Sequence, residues 1–219
     1  MERLDITLAR FAALASTLVS DALDAAQLPP GVAGVRPVWP APTFAGRALT
    51  VRLGPVDERV ASTHVAVDAI ERAGPADVLV LANGGDVGVS CWGGLLSLAA
   101  SLRGVRGVVV DGACRDVEEM AALGFPVCAR SVVPVTARGR LAQLEVGAPV
   151  EFGGLTVGTG DVVLADRDGV AFVPADAVER VLGAGEALSA REAGLAGELR
   201  AGRRLKDVLD DARLELEQR

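Results

Sequence analysis

The spacing of apolar residues divides the chain into a helical beginning, an alternating middle and a strand-rich later part. Residues 4–26 carry leucines and a phenylalanine at mostly helical spacing, and the sequence Leu28-Pro29-Pro30-Gly31 ends this pattern. We therefore predict a single helix over residues 4–26. The prolines of residues 31–45 argue against a helix and predict an ordered loop or an extended arm.

Short apolar runs alternate with helical patterns from residue 46 to residue 129. The apolar runs predict strands at residues 48–53, 77–82, 105–110 and 125–129. The patterns between them predict helices at residues 58–73, 95–102 and 116–123. Strands that alternate with helices in this way are typical of parallel βαβ units.

The pattern changes after residue 130. Short strand-like runs separated by glycine and aspartate predict an antiparallel β layer, at residues 131–137, 141–146, 150–152, 155–157, 162–165 and 170–173. A final helical region begins near residue 175. Because 219 residues are enough for one good core, we expect a single domain over residues 1–219, with a C-terminal helical extension over about 175–219.

Composition and charge exclude several classes of protein. Half of the residues are apolar, which excludes a disordered chain, because such a chain cannot bury enough apolar surface to fold. The net charge is −7 and aromatic residues make up 3% of the chain. An acidic chain with so few stacking side chains is poorly suited to nucleic acid, so we expect no nucleic-acid partner.

Cysteine usage and the absence of a long apolar segment indicate a cellular compartment. The three cysteines, Cys91, Cys114 and Cys128, form no C-x-x-C pair, and their odd number is typical of reduced thiols. No apolar stretch approaches the roughly 20 residues that cross a bilayer, and the acidic N-terminus is a poor secretory signal. We therefore expect a cytoplasmic protein without a membrane partner.

The familiar nucleotide and nucleophile motifs are absent. No G-x-G-x-x-G follows a strand, and neither a P-loop nor G-x-S-x-G occurs. The only histidine, His64, falls on an apolar stripe of the predicted helix at 58–73. A histidine in that position is more often a core or interface residue than a catalytic group, so we expect it to be structural.

A first candidate segment, residues 83–96, follows a buried strand, where α/β proteins place their ligands. Gly93 and Gly94 immediately precede a predicted helix, and the N–H groups of a first helical turn bind anions. A carboxylate or phosphate fits such a site, and Trp92 could form its wall. The alternative is a strand-to-helix turn that binds no ligand.

A second candidate segment, residues 111–119, follows the next buried strand. Arg115 offers two parallel N–H donors to a carboxylate, while Asp116 and Glu119 supply oxygens that suit Mg²⁺ or Mn²⁺. The alternative is a capping box, with Asp116 capping the helix and Glu119 at its third position. Arg115 at a helix N-terminus opposes the helix dipole, which favours an anion nearby.

These segments resemble a known family. The sequences WGGLL at residues 92–96, VVVDGACRDVEE at 108–119 and FPVCAR at 125–130 are similar to class II 4-hydroxy-4-methyl-2-oxoglutarate aldolases and their RraA-like relatives. The separation of Gly94, Arg115-Asp116 and Glu119 also matches. Many members carry an acidic residue where Gly94 stands. The likeness extends to residues 16–24, 46–51 and 160–174.

The resemblance implies a fold, an assembly and a site. It implies a three-layer β/β/α sandwich of the swivelling-domain type with N- and C-terminal helices, assembled as a homotrimer or homohexamer. It implies catalytic roles for Arg115 and Asp116, and a divalent cation, Mg²⁺ or Mn²⁺, held by Asp116 with Glu119 acting through water. A glutamate of a neighbouring subunit completes the site in the family, and Glu192 and Glu198 both remain candidates. The implied binding site for a pyruvate-like group comprises Gly93, Gly94, Leu95, Leu96 and Arg115.

The implied activity is metal-dependent retro-aldol cleavage of 4-hydroxy-2-oxo dicarboxylic acids to pyruvate and a second oxo acid. Oxaloacetate decarboxylation should accompany it, because both reactions form the pyruvate enolate. Schiff-base chemistry is not implied, and the only lysine, Lys206, is far in sequence from both segments. The alternative is an RraA-like regulator that binds a ribonuclease without catalysis. Arg115, Asp116 and Glu119 favour the enzyme, because a regulator needs no metal ligands.

Overall fold

A curved sheet forms the centre of the protein in the computed structural model, which describes residues 2–56 and 64–209. The strands of the described part are β1 (Arg36–Pro37), β2 (Phe44–Pro55), β3 (Asp77–Ala82), β4 (Ser90–Trp92), β5 (Gly107–Cys114), β6 (Val127–Val132), β7 (Leu141–Val146), β8 (Val150–Phe152), β9 (Leu155–Val157), β10 (Val162–Ala165) and β11 (Val170–Val173). The helices are α1 (Glu2–Ala12), α2 (Ser16–Ala25), α3 (Val67–Arg72), α4 (Gly94–Leu102), α5 (Val117–Leu123), α6 (Val178–Arg200) and α7 (Leu205–Val208).

The strand order explains why the sequence pattern changes after residue 130. The main sheet runs β1-β6-β5-β3-β2-β10-β11, with β4 beside β5 and β7 beside β2. The strands β2, β3, β5 and β6 are parallel, as the alternation of strands and helices predicts. The strands β7, β10 and β11 are antiparallel to their neighbours, and β8 pairs with β9 in a separate hairpin, which confirms the predicted antiparallel layer.

Three apolar clusters hold the layers together. Helices α3, α4 and α5 cover one face of the parallel strands, and the hairpin of β8 and β9 packs on the other face through Val150, Phe152 and Val157. Helices α1, α2 and α6 pack outside β10 and β11. Because both faces of β3 are covered, all six of its residues are buried. The predicted three-layer β/β/α architecture with helices at both termini is therefore confirmed.

The N-terminal segment differs from its prediction. Two helices, α1 and α2, replace the single predicted helix over 4–26, and their axes meet at 105°. The break occurs because the buried carboxylate of Asp166 binds the start of α2: its Oδ2 accepts from Ser16 N at 2.7 Å, and its Oδ1 accepts from Ser16 Oγ at 2.6 Å. These hydrogen bonds begin a new helix at Ser16, and no sequence-local signal announces a partner 150 residues away.

Within the described ranges, no single helix has the length and apolarity needed to cross a bilayer. The bent pair α1 and α2 meets those criteria only when both helices are counted together. Its apolar side chains, including Leu8, Phe11 and Leu23, are buried in the cluster shared with α6.

Four further differences from the predicted elements lie near the candidate segments. Strand β5 continues past Asp111-Gly112 to Cys114, because its end pairs with both β4 and β6. Strand β4 itself was not predicted. Residues 133–137 lie outside the strand predicted at 131–137. The helix predicted at 58–73 begins only at Val67, and residues 57–63 lie outside the described ranges.

Candidate active site

The two candidate segments lie side by side. Strand β4 runs parallel to β5, with Trp92 opposite Cys114, and Arg115 N donates a hydrogen bond of 3.0 Å to Trp92 O. This pairing places the glycines that follow β4 beside the Arg-Asp pair that follows β5. One cavity of about 470 Å³ is lined by all the residues singled out in these segments: Gly93, Gly94, Leu95, Leu96, Arg115, Asp116 and Glu119.

Asp116 connects the two segments through its carboxylate. Its Oδ2 accepts a hydrogen bond of 3.0 Å from Gly94 N, the first residue of α4. Asp116 thus binds the N-terminus of α4, although its own position is the N-cap of α5. The capping-box alternative is wrong, because the Asp116 side chain makes no capping hydrogen bond to α5.

The backbone of Asp116 is strained. Its φ of 63° and ψ of 43° lie in the left-handed region, which costs an L-residue about 1–2 kcal/mol. Such strain persists only where the surroundings hold it, and it concentrates at functional sites. The hydrogen bond to Gly94 N and the ion pair of Asp116 Oδ2 with Arg115 Nε, at 3.4 Å, are two of the contacts that hold it.

Gly93 and Gly94 make room for these carboxylates. A Cβ atom on Gly93 would lie 2.7 Å from Asp116 Oδ2, and a Cβ on Gly94 would overlap the carboxylate of Glu119. Both glycines have φ values that any residue adopts as extended or helical backbone. They are therefore required for space rather than for backbone freedom. The Glu119 carboxylate lies where a side chain at position 94 would be.

The first turn of α4 offers donors to an anion. Gly94 N is bound by Asp116, whereas helix geometry leaves the N–H groups of Leu95 and Leu96 without acceptors inside the helix. The Leu95 side chain points to solvent, so its backbone is its contribution to the cavity. The Arg115 side chain is 40% exposed and can therefore reach a ligand. These donors suit a carboxylate.

Trp92 and Cys91 form a buried apolar part of the cavity wall. Trp92 Nε1 donates to Ser97 Oγ at 2.7 Å, and its ring stacks on Phe125 with centroids 6.5 Å apart. Burial raises the pKa of the Cys91 thiol to about 12. That thiol is protonated at neutral pH, so the site does not use a cysteine thiolate as its nucleophile.

Sequence reasoning missed a further wall of the cavity, formed by His64, Val65, Val67 and by Thr136, Ala137 and Arg138. His64 is exposed and precedes α3, so the predictions that it lies within a helix and in the core of its own chain are wrong. Backbone hydrogen bonds bring the second segment here: Val133 N donates to Cys114 O and Ser90 N donates to Val135 O, both at 2.9 Å. Such long-range pairings leave no local motif.

The acidic groups of the site are few. Nowhere in residues 2–56 and 64–209 do three or more His, Cys, Asp or Glu side chains form a group that could hold a metal ion. Asp116 and Glu119 contribute two carboxylates to the cavity. Neither Glu192 nor Glu198, both on α6, lines the cavity of its own chain, and Glu198 pairs with Arg203 at 2.8 Å.

A family model and several relatives match the sequence. A family model described as RraA-like, Aldolase/RraA, matches residues 16–172. DlpA of Legionella pneumophila is 28% identical over 90% of this chain and 32% of its own length. An uncharacterized protein of Methanocaldococcus jannaschii is 36% identical over 54% of this chain and 57% of its own. The chain thus spans less than two thirds of either relative. A 4-hydroxy-4-methyl-2-oxoglutarate aldolase of Thermus thermophilus is 32% identical over 60% of this chain and 76% of its own.

Solved structures share the fold. An uncharacterized protein from Pseudomonas syringae superposes with a TM-score of 0.86 at 25% identity, covering 93% of this chain and 92% of that one. Streptomyces coelicolor RraAS2, described as an unusual member of the RNase ES inhibitor RraA protein family, superposes with a TM-score of 0.78. The sequences of RraAS2 and this chain are 24% identical, over 88% of this chain and 96% of RraAS2, so this likeness concerns the fold alone.

Proposed function

Because the chain belongs to the RraA-like family, we propose that it is a class II aldolase, which cleaves 4-hydroxy-2-oxo dicarboxylic acids of the 4-hydroxy-4-methyl-2-oxoglutarate type to pyruvate and a second oxo acid. The family contains proteins named as aldolases and as ribonuclease inhibitors, so membership alone does not decide between catalysis and regulation. The observation that carries the proposal is the meeting of Arg115, Asp116, Glu119 and the start of α4 in one cavity.

The acidic pair fits a divalent cation. Asp116 and Glu119 offer hard carboxylate oxygens, and the Glu119 carboxylate makes no hydrogen bond or ion pair with the described residues. Mg²⁺ keeps several waters and is often held by only one or two carboxylates, so a group of three protein ligands is not required. We assign Asp116 as a ligand of Mg²⁺ or Mn²⁺ and Glu119 as an acceptor for its waters. When bound, the cation supplies Lewis-acid stabilisation of the charge that develops on the substrate.

The chain's own groups orient the substrate. The Leu95 and Leu96 N–H groups and the Arg115 guanidinium suit the C1 carboxylate of a 2-oxo acid. A positively charged guanidinium beside that carboxylate also favours the negative charge that arises when the carbon–carbon bond breaks. The stacked, hydrogen-bonded Trp92 keeps this part of the cavity fixed, so little reorganisation accompanies the reaction.

The reaction needs one proton removed and one returned. The C4 hydroxyl loses its proton, the C3–C4 bond breaks to form the second oxo acid, and its electron pair forms the enolate of pyruvate, which is protonated at C3. We assign the first proton transfer to a water that the Arg115 guanidinium polarises in the cavity. Loss of carbon dioxide from oxaloacetate yields the same enolate, so decarboxylation should accompany aldol cleavage.

The alternative is regulation of a ribonuclease without catalysis. The name of the Streptomyces relative favours it, but that likeness concerns the fold. A binding surface requires neither a strained Asp116 nor glycines that leave room for two carboxylates. The strained Asp116 and the two glycines therefore support an enzymatic function over a purely regulatory one.

The test is release of pyruvate from 4-hydroxy-4-methyl-2-oxoglutarate and from oxaloacetate, with Mg²⁺ or Mn²⁺ and after EDTA. We expect turnover with metal and its loss after chelation. Arg115→Ala should lower kcat/KM by at least about 100-fold, because it removes a charged donor from the reacting centre. Arg180→Ala, which removes an exposed arginine from α6, should retain wild-type turnover.

Circular dichroism should show that both variants remain folded. Absence of pyruvate release from both substrates, with either metal, would overturn the proposed enzymatic activity. Capture of a ribonuclease by the inactive protein would then favour the regulator. Full activity of Arg115→Ala would remove Arg115 from the site.

A further inference from the structure

The cavity wall that sequence reasoning missed carries an arginine that the proposed reaction does not yet use. Arg138 lines the same cavity as Arg115. As far as the described residues extend, its guanidinium makes no hydrogen bond or ion pair. Because a guanidinium presents parallel N–H donors that match a carboxylate, Arg138 is available to bind one.

The backbone that carries Arg138 is held in place. Arg138 N donates to Thr136 Oγ1 at 3.2 Å, and Arg140 N and Leu141 N donate to Ala137 O at 2.8 and 2.9 Å. A side chain on such a fixed turn loses little backbone freedom when it binds a ligand, which favours affinity.

The charges around the cavity indicate the charge of the ligand. Among the described residues, the arginines and acids that line it are Arg115, Arg138, Asp116 and Glu119, and their charges balance. A bound divalent cation leaves two positive charges in excess. A monocarboxylate neutralises half of that excess, whereas a dicarboxylate neutralises all of it.

We propose that Arg138 determines specificity by binding the carboxylate at the far end of a dicarboxylic 2-oxo acid, while Arg115 and the start of α4 bind the carboxylate beside the 2-oxo group. A cavity of about 470 Å³ has room for both ends. The inference rests on the proposed function and names the residue that selects dicarboxylic over monocarboxylic substrates.

The test measures binding rather than turnover. Isothermal titration calorimetry with Mn²⁺ compares 2-oxoglutarate with 2-oxopentanoate, which have equally long carbon chains but differ in the second carboxylate. Neither carries a 4-hydroxyl group, so neither undergoes retro-aldol cleavage. We expect the wild-type protein to bind 2-oxoglutarate about 10- to 100-fold more tightly, the range for a charge-assisted contact.

Arg138→Ala should lose this preference by weakening 2-oxoglutarate binding alone, and Arg138→Lys should restore part of it. Arg180→Ala removes an equal charge from a residue that does not line the cavity and should keep the wild-type preference.

Two outcomes would overturn the inference while leaving the proposed function intact. In one, wild-type protein releases pyruvate, and Arg138→Ala keeps the full preference for 2-oxoglutarate. In the other, Arg138→Ala weakens both ligands equally, which indicates a structural role. A wild-type protein that binds neither acid and releases no pyruvate would overturn both proposals.

Discussion

Asp116 and Glu119 act on α4 more directly than on the helix that carries them. Asp116 spans 22 positions to accept from Gly94 N, and Glu119 lies over the same glycine. Their three-residue spacing could be read from the sequence, and so could the carboxylate chemistry. That both carboxylates would meet Gly94 could not be read from the sequence. The pairing of β4 with β5 brings them to that glycine, and β4 has only three residues.

The space above Gly94 provides a test at the residue scale. Gly94→Ala should displace the Glu119 carboxylate, because the new Cβ would overlap it. We expect Mn²⁺ affinity to fall by about 10- to 100-fold, as when a group that orients a metal site is lost. Calorimetric titration with Mn²⁺ measures this.

Gly183→Ala is the matched control for Gly94→Ala. Gly183 lies in α6 with open space around its Cβ position, so the change should leave Mn²⁺ affinity alone and stabilise the helix by about 0.5–1 kcal/mol. Unchanged Mn²⁺ affinity in Gly94→Ala would show that Glu119 has no part in the site.

Among the elements, α2 depends most on a distant group. Asp166 accepts hydrogen bonds from Ser16 at the start of α2, and also from the N–H groups of Asp168 and Gly169. Burial raises the pKa of this carboxyl, but the hydrogen bonds outweigh burial, so its pKa is lowered overall. A continuous apolar pattern over 4–26 predicts a helix, yet it contains no sign of a bend imposed by a turn after β10.

Asp166→Ala should lower the free energy of unfolding by about 0.5–2 kcal/mol near neutral pH, the effect of losing a helix cap. A carboxyl with a lowered pKa stabilises the fold above its unfolded-state pKa, and that contribution disappears as pH falls through the folded-state pKa. The difference between variant and wild type should therefore shrink in acid. Urea denaturation at about pH 7 and about pH 3 measures it.

The exposed neighbour Asp168 supplies the control for this variant. Its backbone N–H donates to Asp166, but no described residue bonds its carboxylate, so Asp168→Ala should change stability by less than about 0.5 kcal/mol. Equal destabilisation by the two substitutions, or a deficit for Asp166→Ala that persists in acid, would contradict the capping role.

At the scale of the whole molecule, alternation and periodicity predicted the parallel and antiparallel strands, and the family resemblance implied their three-layer arrangement, whereas neither predicted the full lining of the cavity. Covered parallel strands and antiparallel later strands leave clear patterns in the sequence. Main-chain hydrogen bonds of the preceding residues with Ser90 and Cys114 position the missed wall at Thr136–Arg138. Such bonds do not depend on the side chains of the wall, so they leave no motif in the sequence. One outer surface is also notable: Leu95, Leu98 and Leu102 form an exposed apolar stripe along α4.

We expect further copies of this chain to cover the stripe, because the family resemblance implies a trimer or hexamer and a contiguous apolar surface marks an interaction site. Light scattering coupled to size exclusion should give a trimeric or hexameric mass for the wild type. Leu102→Glu should shift it toward the monomer, because a charge is costly in a buried interface.

Leu205→Glu, at an exposed leucine on α7 outside the stripe, should keep the wild-type mass. A monomeric wild type at micromolar concentration would contradict the assembly, and an intact oligomer of Leu102→Glu would remove the stripe from its interface.

The Thr136–Arg138 wall is held by main-chain hydrogen bonds, which has a consequence for how related proteins can differ in sequence. Hydrogen bonds from Val133 N to Cys114 O and from Ser90 N to Val135 O fix that wall whichever side chains it displays. The wall built on Arg115, Asp116 and the two glycines is more constrained in this chain, because the Asp116 and Glu119 carboxylates occupy the space that a side chain at position 93 or 94 would need. We therefore expect related chains to vary more at residues 136–138 than at Arg115 and Asp116, and to differ in the ligands they select.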